Sequence, residues 1–173
     1  PNVLWHDPTE LDRLSSSYKI ELHLMLKNMD TRFQFWLRPH IGRYIVQWEG
    51  CEKPKSIASA AKRIGKEFGF SIAPGTPPDA VRDVAPLMDM LQLLAVPPGR
   101  AGQKMDKGTQ KKIALSKKLF PQIPVSIDGG VNDGTAHACA AHGASRFVAA
   151  SYLFAGKDIL SQYDTLLKAI SRA

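Results

Sequence analysis

The chain has 173 residues, with 23 lysines and arginines against 16 aspartates and glutamates, a formal net charge of +7 and a hydrophobic share of 44%. That balance argues against a disordered chain, and the length lets roughly two-thirds of the unfolded surface be buried in one domain. Cys51 and Cys139 lie far apart and form no CxxC pair, so two reduced thiols are expected instead of a disulfide framework or a cysteine zinc site.

No apolar run reaches the roughly 18 residues of a bilayer span, and no charged segment with an apolar signal core opens the chain. A cytoplasmic protein is expected. The sequence starts at Pro1 instead of a methionine, as a processed or truncated chain would. The positive charge fits nucleic acid, an acidic partner or a phosphorylated metabolite. Its one cluster, Lys104, Lys107, Lys111, Lys112, Lys117 and Lys118, falls mostly on the solvated face of a predicted helix. Without interleaved aromatics or a nucleic-acid motif, nucleic acid is not the expected partner.

Taken in chain order, residues 19–25 (KIELHLM) read as a strand, and so do residues 44–48 (YIVQW). Residues 56–68 have helical periodicity, with Ile57, Ala60, Ala61 and Ile64 on one stripe and Lys62, Arg63, Lys66 and Glu67 on the other, ending at Gly69. Strands follow at residues 70–73 (FSIA) and 90–96 (MLQLLAV), then a helix over residues 107–119 that stops before Pro121. Residues 125–128 (VSID) read as a strand, a helix starts near residues 132–135 and ends at Gly143, and residues 146–150 (RFVAA) form a further strand. A last helix over residues 157–170 sets Ile159, Leu160, Tyr163, Leu166, Leu167 and Ile170 toward the core. The alternation predicts βα units with a parallel sheet. Pro74, Gly75, Pro77 and Pro78, and then Pro97, Pro98 and Gly99, fall at strand C-terminal ends, where such folds carry functional loops.

These loops resemble, in order, the strand ends of the ribulose-phosphate 3-epimerase family. Pro1-Asn2 looks like the end of that family's MDGxFVPN segment, and His23-Leu24-Met25 like its HLM. Pro74-Gly75-Thr76-Pro77 resembles its NPxTP, residues 96–103 (VPPGRAGQ) its VxPGFGGQ, residues 127–131 (IDGGV) its VDGGI, and residues 147–154 (FVAASYLF) its FVAGSAIF. The resemblance implies a TIM-type (β/α)8 barrel, which needs on the order of 200 to 250 residues. Strands three to eight are represented here, and the first two βα units are not.

The implied reaction inverts C3 of a pentulose 5-phosphate through an enediolate, with carboxylates on both faces and a divalent metal on the oxygens. Zinc is the expected ion, with iron, manganese and cobalt as others. Asp128 matches an acid/base that is also a metal ligand, and His23 matches a metal-binding histidine. Asp128 also reads as a turn-forming residue, with the Gly129-Gly130 that follow it favouring the acid/base, and His23 reads evenly as a packed core histidine. The other carboxylate and histidine belong to the absent second strand, and two protein ligands fall below the three that catalytic zinc sites keep. Gly99, Gly102, Gly129, Gly130, Ala150 and Ser151 match the phosphate and substrate loops. Met25, Gln47 and Leu94 match the site wall.

Departures are visible too. Gln47 replaces a histidine, Ala73 an asparagine, Leu94 a methionine, Arg100 a phenylalanine, and Ala101 and Ala150 glycines, while Glu49 is retained. Arg100 points either to the phosphate, as a charge-assisted donor, or to solvent. Two readings follow: an epimerase acting on a sugar phosphate, or a catalytically silent relative that binds phosphometabolites or serves as a structural subunit. Strand edges left open by a partial barrel predict a homo-oligomer or another covering chain.

Overall fold

The computed structural model describes residues 7–14, 17–156 and 158–173. Pro1-Asn2, and the predicted start of the last helix at Lys157, lie outside them. Six strands, β1 (Ile20–Leu24), β2 (Ile41–Gln47), β3 (Glu67–Ile72), β4 (Met90–Leu94), β5 (Val125–Asp128) and β6 (Arg146–Val148), form one sheet in chain order. Every pairing is parallel, so the chain crosses over between strands each time. The result is a half-barrel of TIM-like α/β type.

Helices α1 (Met29–Arg32), α2 (Pro54–Arg63), α3 (Thr109–Leu119), α4 (Asp133–Ala141), α5 (Ser151–Phe154) and α6 (Ile159–Ser171) supply the connections and the outer layer. Between β3 and β4 the crossover is a 3-10 helix, Pro78–Leu87. Pro86 lies inside it and Pro78 opens it, and neither offers a backbone N–H to a regular α-helical ladder.

Alternation along each strand divides the side chains between two faces. Tyr44 and Val46, Phe68, Phe70 and Ile72, Leu91 and Leu93, and Val125 and Ile127 turn outward into one apolar core with the helices. Phe33 meets Tyr44 and Phe68 edge-on, and Phe70 meets both Phe68 and Trp48 in the same way. The inner face is polar at both ends. Toward the strand N-termini, buried Arg43 pairs with Glu21 and Glu67 from the neighbouring strands. Toward the C-termini lie His23, Gln47, Ser71, Gln92 and Asp128. Ile45, Gly69 and Met90, consecutive partners in the register, form the layer between.

Three sequence expectations are corrected. The helix predicted over residues 56–68 stops at Arg63, because Gly65 turns the chain with φ 69°. Glu67 then already belongs to β3, Gly69 lies within that strand, and Ile64 is exposed. In α6 only Leu166 is buried; Ile159, Leu160, Tyr163 and Leu167 are exposed, so the predicted core stripe is covered along one edge alone. The short helices α1 and α5 and the 3-10 segment carry no periodic signal long enough to be predicted.

The start of α4 behaves as expected, with a reciprocal capping box between Asn132 and Thr135. No helix among the described residues is long and apolar enough to cross a membrane.

Candidate functional site

Five strands bring polar side chains to one rim. His23 Nδ1 lies 3.5 Å from Asp128 Oδ2, across the inner face from β1 to β5. Gln92 Nε2, on β4 between them, lies 3.1 Å from His23 Nδ1, 3.2 Å from Asp128 Oδ2 and 3.4 Å from Ser71 Oγ. On the other side of the ring, His23 Nε2 lies 3.2 Å from Gln47 Oε1, and Gln47 Nε2 donates to Glu49 Oε2 at 2.5 Å. Glu49 also accepts the Ala73 N–H at 2.9 Å and the Thr76 hydroxyl. Burial works against the Glu49 charge, but the donors Thr76, Ala73 and Gln47 outweigh it and hold the carboxyl below its ordinary range.

One continuous chain of hydrogen bonds therefore runs from Asp128 to the loop after β3. Gln92 Oε1 is buried and lacks a partner. An unpaired buried acceptor costs about 1–3 kcal/mol.

Asp128 also opens onto a cleft lined by Val96, Arg100, Gly102, Gly129, Gly130, Ala150 and Ser151. Three loops build it, those after β4, β5 and β6. Gln103 Nε2 shapes the first by donating to the carbonyls of Pro97 at 2.7 Å and Arg100 at 2.8 Å. Arg100, an exposed residue, borders the cleft. Gly99 turns the chain outside the lining. Met25 and Gln47 border a separate hollow with Asp30, Glu49 and Cys51, and Leu94 is buried beside Asp128 in the register.

Sequence reasoning passed over Gln92 and Ser71. The signal was there in the form of a glutamine inside the otherwise apolar MLQLLAV, on the strand's inner parity.

The donor set also bears on the metal. His23 and Asp128 are the two expected ligands, yet the Gln92 amide caps both their facing atoms and Gln47 occupies the other ring nitrogen. Among the described residues no cluster of three or more His, Cys, Asp or Glu is able to hold an ion. These residues do not by themselves fit a resident divalent metal. Burial pushes the Cys51 thiol up to about 12, with Asp30 and Glu49 adding to it, and the Cys139 thiol up to about 11, so neither is a ready nucleophile or ligand.

Comparison with known proteins agrees with the loops. The family model described as the ribulose-phosphate 3 epimerase family matches residues 6–154. The chain belongs to the ribulose-phosphate 3-epimerase family. A ribulose-phosphate 3-epimerase of Mycobacterium tuberculosis is 32% identical over 147 residues, covering 80% of this chain and 62% of that relative. One from Chlamydia trachomatis is 30% identical over 159 residues, covering 88% and 68%. The chain thus spans only part of the length of these epimerases.

Among solved structures, a 3-hexulose-6-phosphate synthase superposes with a TM-score of 0.59 at 17% identity, over 83% of this chain and 67% of that one. The synthase from Salmonella typhimurium gives 0.62 at 18% identity, over 76% and 63%. At that identity the likeness extends to the fold.

Behind the site, Lys112 of α3 donates to the carbonyls of Ala73 at 2.5 Å and Pro74 at 3.2 Å, tying down the loop that carries Thr76. Burial lowers its amine to about 8, against the charges of Glu49 and Asp106, which favour the cation. Between about pH 8 and the ordinary value of 10.5 the unfolded chain holds this proton while the folded chain has released it. Folding stability is therefore expected to rise through that window. Denaturant unfolding across it checks this, and Lys112→Met is expected to flatten the rise.

Proposed function

We propose that this protein is an isomerase that inverts C3 of a pentulose 5-phosphate, interconverting ribulose 5-phosphate and xylulose 5-phosphate. The observation that carries this reading is the opening of the Asp128 carboxylate onto the same cleft as Gly129, Gly130, Ala150 and Ser151. An acid/base thereby faces a pocket lined in part by glycines and alanines, whose small side chains leave main-chain amides accessible. The loops would hold the phosphate on main-chain amides with Arg100 beside it, and the sugar would extend toward β4 and β5.

There Asp128 takes the C3 proton on one face and leaves an enediolate. The N–H of Gln92, shared between Asp128 and His23, keeps the carboxylate aimed. A second carboxylate must return the proton on the opposite face, and in this reading it belongs to the second strand of the full barrel. The six strands correspond, in this reading, to strands three to eight of an eight-stranded barrel. A second copy or another chain covers β1 and β6, each of which has one strand neighbour among the described residues.

The alternative is a silent subunit that binds a phosphometabolite. It is favoured by the two glutamine amides that occupy both nitrogens of His23.

The test is turnover of ribulose 5-phosphate, with and without added divalent metal, alongside binding of the same compound by calorimetry. Turnover supports the epimerase. Saturable binding without turnover supports the silent subunit, and neither turnover nor binding dismisses both.

A further inference from the structure

Two carboxylates decide how the glutamines point. Gln47 faces Glu49, which as a carboxylate only accepts, so its NH2 group is on Glu49 and its Oε1 is on His23 Nε2. His23 must therefore carry its proton on Nε2. Gln92 faces Asp128 under the same constraint, so its NH2 group lies between Asp128 Oδ2 and His23 Nδ1. Nδ1, already without a proton by the first argument, accepts from it. Two amide orientations, each set by its own carboxylate, thus agree on one ring tautomer.

His23 Nδ1 and Asp128 Oδ2 are then two acceptors 3.5 Å apart, which repel unless something positive lies between them. The two hydrogens of Gln92 Nε2 fill that role, one toward each. The opposite end of the same amide, Oε1, is buried and unpaired. The residue keeps an unsatisfied carbonyl in order to present its N–H pair.

From this geometry we propose that Gln92 is the positioning residue of the site: its amide stands in for a bridging cation between His23 and Asp128. It engages the bare Nδ1 of the Nε2–H imidazole that Gln47 selects and turns the Asp128 carboxylate into the cleft. The functional meaning of the assignment rests on the epimerase reading, but its test does not.

The full chain, labelled with 15N in its histidines, is examined by NMR at neutral pH, with the His23 ring signals assigned through His23→Asn. A protonated Nε2 and a bare, hydrogen-bonded Nδ1 are expected. Gln92→Met, which keeps length and volume but has no donor, is expected to keep the Nε2 proton that Gln47 and Glu49 select and to lose the hydrogen bond at Nδ1, read as a downfield shift of the Nδ1 signal. Gln92→Glu, which offers a carboxylate to Nδ1, is expected to draw a proton onto that nitrogen.

A wild-type ring protonated on Nδ1 and paired directly with Asp128 overturns the proposal. So does a Gln92→Met protein with native methyl signals and an unchanged ring. Should Gln92→Met fail to fold, the wild-type and Gln92→Glu spectra still decide.

Discussion

Asp128→Asn is expected to slow ribulose 5-phosphate turnover by about 10²–10⁴-fold, the usual worth of one general acid/base. The substitution is nearly isosteric, and the introduced carboxamide could still face the Gln92 amide through its own oxygen. Binding should therefore survive while proton transfer does not: kcat falls and KM stays close to the wild-type value. The same split should appear in solvent deuterium exchange at C3, which reads the abstraction step alone. Equal turnover by the two proteins would remove Asp128 from the chemistry and leave the cleft as a binding site.

The largest effect on stability is expected from Gly130→Ala. Gly130 has φ 66°, and a Cβ there would come 2.5 Å from the Met105 backbone nitrogen and 2.8 Å from its Cα. Main chain cannot swing aside as a flexible side chain does, so the loop has to move. The left-handed conformation and the contact together cost at least about 1–3 kcal/mol. A chain of this length loses about 2–4 °C in Tm per kcal/mol.

Gly130 also lines the cleft, so a displaced loop should weaken protection by bound sugar phosphate in the same thermal melts. Gly134→Ala is the comparison. Gly134 lies within α4, and its added methyl meets only Asn132 Oδ1 at 3.5 Å, so a gain of up to about 1 kcal/mol is expected. Similar melts for both variants would mean that the loop after β5 tolerates a side chain.

The strands were legible because their apolar runs are short and recur at regular intervals, and the site because its loops keep turn chemistry at strand ends. The pairing of His23 with Asp128 could be anticipated only through resemblance, since no local pattern reports that residues so distant in sequence share a face. Boundaries failed where a local signal ran on past its cause. The helical stripe at Ile57 and Ala61 continued on paper to Ile64, but Gly65 had already turned the chain. In α6 the periodicity was real and the burial was not, because an amphipathic face reports what a helix is able to cover and not what is there to be covered. Gln92 was missed for a related reason: in a run of leucines it read as an interruption, and only the register with Ser71 and Ser126 makes it part of a polar rim.

The hydrogen-bond chain from Asp128 to Glu49 runs outward from the Gln92 N–H pair to an acceptor-only group at each end, with every link oriented by its neighbour. A substitution at one link therefore changes what its neighbours must be. Across homologues, positions 23, 47, 92 and 128 should drift as a set: a basic side chain at 47 should bring an apolar or hydroxyl residue at 92, and isolated exchanges at either position should be rare. Such epistasis would separate the lineage into two self-consistent solutions with few viable intermediates.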